Sequence, residues 1–276
     1  MNKEKMFKKS GNSIFFGNYP NKLVPDFELV QELNKNVNPP TNDNLNGWTK
    51  YVEYTEGLSV MYYIDIIFEQ KKYRAVYFNQ YANANMKINN DKYWFNSDHI
   101  YWFEYEPIEW IIAYSDDNHY YLRTKNIIDA HKTDRCDYYY HSELRQYLNS
   151  IFLNFAFTKE EIDILDNTFG DMRFNYVDVK DIITLPDWEA LRDIDNDKYL
   201  KYAHCLYFHD AVNTELEREF VSTDYARIRG IVREKFWSLA IDENKFKDSL
   251  LMSFGTETLY ESLPIGGIIP FICIKK

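Results

Sequence analysis

The segment SELRQYLNSIFLNFAFTKEEIDIL, residues 142–165, decides the fold. Leu144, Tyr147, Leu148, Ile151 and Phe152 recur at steps of three and four residues, which stacks them on one face of a helix. Ser142 stands just before this run, where its hydroxyl can accept a free backbone N–H at the helix start. The pattern breaks over residues 154–157 and restarts at Thr158, which forms a capping box with Glu161 three residues on. Ile162 and Leu165 are expected to continue the apolar face. The segment therefore predicts two amphipathic helices joined by an aromatic corner, with Phe155 and Phe157 plugging the gap. Nothing in it calls for a catalytic role: Glu160, Glu161 and Asp163 read as solvated helix-face charges.

Outward from this brace the chain reads as strands. An opening strand, SIFFGNYP, is followed by a helix over residues 25–35 with Phe27, Val30 and Leu33 on one side. Then come aromatic and β-branched runs, GLSVMYYIDIIFEQ, KKYRAVYFNQY, DHIYWFEYEPIEWIIAYS and NHYYLRTKNIID, broken by turn-like pieces such as EQKK and SDDN. FWSLAI, SLLMSFG and IIPFICIKK are late strands. Strands, then helices, then strands again predict an α+β domain. Residues 1–99 are expected to form an N-terminal β-rich elaboration packed on the same sheet, not an independent unit, and residues 100–276 the core.

Composition narrows the chemistry. The 276 residues include 24 Tyr, 19 Phe and 6 Trp, so 18% are aromatic. Tyrosine supplies a large buried ring and a hydroxyl that needs a partner, which suits a sheet with wet edges and recognition surfaces; an AT-rich genome enriches the same residues. Net charge is −11, and the one basic cluster, Lys3, Lys5, Lys8 and Lys9, sits at the start of the chain. That balance argues against nucleic-acid binding, which needs a positive stripe. No apolar run reaches membrane-spanning length, and the opening residues lack the apolar core of a secretory signal. The expectation is a cytoplasmic protein without a membrane partner. Cys136, Cys205 and Cys273 are odd in number, far apart and without CxxC spacing, as buried reduced thiols would be.

Five blocks occur in order: FFGNYP (15–20), IYWFEYEPIEWII (100–112), LRQYLNSIFLNFAFTKEE (144–161), STDYARIRG (222–230) and GGIIPFICI (266–274). Together they resemble the bacterial domain-of-unknown-function family 6273, whose members read FGxYPQ, PIEWRVL, LRxWLNxxFLxxAF, TDYA, WWLRSPG and GVRPAL. That family is more distantly similar to the C-type-lectin-like fold of the sulfatase-modifying, formylglycine-generating enzymes. The resemblance implies a twisted antiparallel sheet with packed helices and long recognition loops, and no assigned reaction. FWSLAID (236–242) lacks the arginine and proline-glycine turn of the family block, and Ile269 replaces the arginine of the last one.

The known reactive motifs are each incomplete in this chain. Formylglycine chemistry needs paired cysteines, and none are spaced for it. His204, His209 and Asp210 in HCLYFHD are the least implausible metal ligands, but histidines five apart do not share a helical face. His131 and His141 are further candidates for such a site. NNDKYWFNSDHI and SDDNHYY miss the calcium-loop register, and neither GxSxG nor a phosphate loop is present. The leading reading is a non-catalytic binding protein, with no catalytic residue and no cofactor, whose partner is a protein or small ligand. Tyr81, Tyr93, Trp94, Trp237 and Tyr260 are its candidate contacts. An enzyme or degenerate enzyme of the sulfatase-modifying-factor type, and a mobile-element protein that binds a host factor, are the alternatives.

Overall fold

A computed structural model describes residues 7–41, 43–51, 60–79, 87–88, 93–132, 139, 142–166, 172–174, 177–179, 181–186, 205–209, 220–231, 236–240 and 265–276. It is an α+β protein dominated by antiparallel sheet. Packing divides the chain into two units. One comprises Tyr19–Glu106 and Thr223–Gly230; the other comprises Met1–Asn18, Pro107–Ser222 and Ile231–Lys276. The division falls at 18/19 and 106/107, not at 99/100, and the strand Ile100–Ser115 contributes to both.

In the first unit, strands Thr49–Lys50, Met61–Phe68 and Lys71–Phe78 and the start of Ile100–Ser115 pair antiparallel in that order. Glu69 and Gln70 turn the central hairpin with φ of 48° and 67°, the left-handed pair of a two-residue turn whose twist matches the strands. One sheet face carries Tyr62, Tyr73, Ala75, Tyr77 and Trp102 into a core with Val24, Leu33, Val37 and Trp48. Helix Phe27–Asn34 covers that core and is capped by the Asp26 carboxylate, which accepts from the Glu28 and Leu29 N–H groups. Phe27 departs from expectation, with 72% of its surface exposed. It lies six residues before Leu33, one and two-thirds turns away, so the buried stripe is Leu29, Val30 and Leu33.

In the second unit, strand Phe271–Lys275 pairs with His119–Thr124 on one side and with Leu165–Asp166 and Ile183–Thr184 on the other. His119–Thr124 in turn pairs with the end of Ile100–Ser115 across a bulge. A second sheet orders Asp129–Lys132, Ile265–Ile268, Phe236–Ala240 and Cys205–His209. The helical brace forms where it was read, with changes in its middle turn and at its end. Ser142 caps helix Glu143–Tyr147 through the Arg145 N–H, and the Thr158–Glu161 capping box opens helix Lys159–Ile162. Between them, residues Leu148–Phe152 form a π-helical turn before helix Leu153–Ala156. The wider turn rotates the buried stripe, so Ile151 is exposed while Leu153 is buried. Leu165 belongs to a strand and pairs with Ile274. Phe157 fills the corner, 5.1 Å from the Phe16 ring and 6.1 Å from Trp110.

Two side chains of the brace hold the sheet. Asn149, placed by the π turn, donates to the Ile183 carbonyl at 2.8 Å and accepts from the Ile182 and Ile183 N–H groups at 2.9 and 3.0 Å. Glu161 uses one carboxylate oxygen for the Thr158 N–H and the other for the Gly17 N–H. Gly17 has φ of +68°, and a Cβ there would lie 2.7 Å from both the Ala156 carbonyl oxygen and the Phe157 ring. Gly17→Ala combines a left-handed backbone cost with an overpacked contact, and thermal or denaturant unfolding is expected to show a loss of roughly 2–4 kcal/mol. Asn149→Ala strands two buried N–H groups and is expected to cost about 2–3 kcal/mol by the same measurement.

Candidate functional site

The other face of the first unit's sheet carries a polar cluster. In a strand alternate side chains face opposite ways, so Tyr63, Asp65 and Ile67 share this face, as do Lys72, Arg74 and Val76 on the next strand. The two-residue turn sets Asp65 directly opposite Arg74, and Arg74 opposite Phe103. Arg74 donates from Nε and Nη2 to the two Asp65 oxygens at 2.7 and 2.8 Å, a two-pronged pair. Its Nη1 donates to the Tyr225 hydroxyl at 2.9 Å, and that oxygen shares a further hydrogen bond with Tyr51. Tyr63, Tyr105 and Tyr225 surround the guanidinium with ring centres 4.5, 5.6 and 5.7 Å from Cζ.

Helix Asp224–Ile228 supplies the cover. Thr223 caps it through the Ala226 N–H. Asp224 accepts from the Leu23 N–H, and Tyr225 packs edge-on against Tyr19 and Phe103. Arg229 follows Tyr225 by one helical turn, is fully buried and stacks 3.8 Å from the Tyr51 ring centre. Toward solvent the cluster ends in Tyr105, Lys72 and Ile67. Tyr105 donates to Asp65 at 2.8 Å, Lys72 lies 4.0 Å above the Tyr105 ring and 3.6 Å from Asp65, and Ile67 is 78% exposed.

Charge is fixed throughout this cluster. Burial alone would raise the Asp65 carboxyl, but Arg74, Lys72 and the Tyr105 hydroxyl outweigh it and hold the pKa below the usual carboxylate range. Burial opposes the Arg74 charge, yet the neighbouring tyrosine oxygens and Asp65 hold its pKa well above the ordinary value. Burial pushes the Tyr105 and Tyr63 phenols up, so both stay protonated. Burial lowers Lys72 against the pull of Asp65, and burial lowers Arg229. In the second unit, Arg145 grips Asp181 through Nε and Nη2, and burial raises the Asp181 carboxyl despite that grip. That pair fixes a helix to a residue two positions before strand Ile183–Thr184.

Of the residues expected to carry function, Tyr81, Tyr260, His204 and Asp210 lie outside the described residues, as do Cys136 and His141. Tyr93 and Trp94 form a short strand opposite Ile88 and Lys87. Trp237 pairs with Phe208, and His209 with Phe236, so Trp237 and His209 stand on adjacent strands one register step apart. Their side chains are outside the description. His131 is buried with its ring centre 4.6 Å from that of Tyr147, whose hydroxyl donates to Asp129. Cys273 is buried in an apolar cluster with Ala113 and Phe271. Among the described residues no three His, Cys, Asp or Glu side chains converge as metal ligands, and no helix is long and apolar enough to cross a membrane.

Sequence reasoning missed Asp65, Arg74, Tyr105, Tyr225 and Arg229. The available signal was the lone aspartate in the apolar strand MYYIDIIF and the arginine set among the apolar residues of KKYRAVYF, on either side of a short turn. The chain matches no family model, no curated protein and no solved structure.

Asp65→Asn leaves Arg74 buried without its counter-ion and is expected to cost about 3–5 kcal/mol at neutral pH. Because the folded pKa is depressed, the native pair contributes fully above the ordinary carboxylate range and is lost as pH falls through the lowered pKa. In urea unfolding across pH, the gap between native protein and Asp65→Asn should therefore close below about pH 4.

Proposed function

We propose that the chain is a non-catalytic binding protein on a C-type-lectin-like scaffold. The fixed charge of the Asp65–Arg74 cluster carries this reading. The carboxylate is held ionised, the guanidinium charged and the phenols protonated, so the cluster offers preset charges and rings with no carboxyl or phenol poised to exchange a proton near neutral pH. Its solvent edge, formed by Tyr105, Lys72 and Ile67, joins an aromatic, a cation and an exposed aliphatic side chain, the mixture that recognition surfaces use. The scaffold reading is supported by the five sequence blocks and by antiparallel sheet braced with capped helices.

The partner is a protein or a small ligand held at this edge. Affinity capture followed by calorimetry with the purified partner is expected to give a stoichiometric complex. Ile67→Asp should weaken it at least tenfold while Tm stays unchanged, and Lys72→Gln should weaken it by a similar factor with a small fall in Tm, since Lys72 also faces Asp65. Trp237→Ala examines the second strand group in the same assay. Capture of nothing, or affinity indifferent to all three substitutions, would refute the assignment.

A further inference from the structure

The second unit brings two lysines from distant parts of the sequence to one ring, in a chain of net charge −11. Lys8–Ser10 pairs with Ser13–Leu23, and Phe271–Lys275 pairs with His119–Thr124. Ser13–Leu23 joins Ile100–Ser115, which pairs with His119–Thr124, and so Lys9 and Lys276 both come to Tyr120. The Lys9 ammonium lies 4.6 Å from the Tyr120 ring centre and donates to its hydroxyl at 3.1 Å. The Lys276 ammonium lies 4.8 Å from the same ring centre and donates to the Asp116 carbonyl. Lys9 and Lys276 are both exposed.

The nearby carboxylates are already engaged. Asp116 accepts from the Asn118 and His119 N–H groups and the Tyr121 hydroxyl, which hold its pKa below the usual range. His119 sits between Asp116 and Asp166 at 3.3 and 3.1 Å, and Lys275 is 3.4 Å from Asp166. Among the described residues no carboxylate lies within ion-pair distance of Lys9 or Lys276. Both ammonium groups thus stand against one half-buried ring, 4.6 and 4.8 Å from its centre, without a carboxylate partner, and a multiply charged anion long enough to reach both would supply the missing counter-charge. Ammonium groups on flexible stems suit phosphate as point charges, and the ring offers a flat apolar surface beside them. A footprint of one ring and two uncompensated cations is too small for a nucleic-acid track, which neutralises many phosphates in succession.

We propose that Lys9, Lys276 and Tyr120 form a binding site for a small ligand bearing a polyphosphate group, either free polyphosphate or a nucleotide. The site is separate from the Asp65–Arg74 cluster and does not depend on its proposed role. Calorimetry on the intact chain with inorganic tripolyphosphate and with adenosine triphosphate tests it. At least one probe should bind with one-to-one stoichiometry, and affinity should fall as salt rises. The double substitution Lys9→Glu with Lys276→Glu should weaken binding at least tenfold with an unchanged thermal melt, since both side chains are exposed. Tighter binding of the nucleotide, lost on Tyr120→Leu, identifies a nucleotide site; equal affinity for both probes, insensitive to Tyr120→Leu, identifies a polyphosphate site. If neither probe binds, or the double substitution leaves affinity unchanged, the site does not exist.

Discussion

A guanidinium removed from water must be given back its hydrogen bonds and its counter-charge, and Arg74 meets that demand within one unit of this protein. Asp65 supplies the charge from the adjacent strand, Tyr225 an acceptor from a short helix, and Tyr63 and Tyr105 the flanking rings. Asp65 and Tyr63 come from the hairpin, Tyr105 from the third strand and Tyr225 from the helix, so the whole network is complete only when hairpin, third strand and helix have all docked. The other sheet face is an ordinary aromatic core. One sheet therefore separates apolar packing from a closed polar network. Networks of this kind are costly when incomplete and specific when complete.

The second unit solves a different problem, that of holding helices at a fixed angle to strands. Its devices are polar side chains used on both sides. Asn149 completes the hydrogen bonds of two residues at a strand start, and Glu161 spans from its own helix cap to Gly17. The absent Cβ at Gly17 lets Phe157 and the Ala156 carbonyl approach. The segments FFGNYP and AFTKEE therefore meet in space for a packing reason.

Local features were legible in the sequence because their causes are local. Ser142 and Thr158 cap their helices as read from the sequence, and Asp26 and Thr223, not singled out there, do the same through backbone N–H groups two or three residues away. The strand order of the first unit follows from alternation and turn residues. Misreadings arose where periodicity was extended past its physical limit. Phe27 was grouped across nearly two turns, Ile151 was assigned to a stripe that the π turn rotates away, and Leu165 was continued into a helix that had ended. The functional candidates chosen for being aromatic or histidine were picked by residue type, which says little about position. The Asp65–Arg74 pair was within reach, since a two-residue turn at Glu69 and Gln70 places the two residues opposite each other.

The sequence by itself determined the α+β class, the helix starts, the brace and the scarcity of recognisable reactive motifs, because capping and periodicity act over a few residues. The tertiary structure alone decided that Tyr225 and Tyr51, 174 positions apart, share a hydrogen bond. It alone brought Lys9 and Lys276 to one ring, and it alone drew the line between the two packed units. Those outcomes depend on strand pairing at long range, where the choice of partner is set by the burial of whole faces and leaves no local mark on either segment.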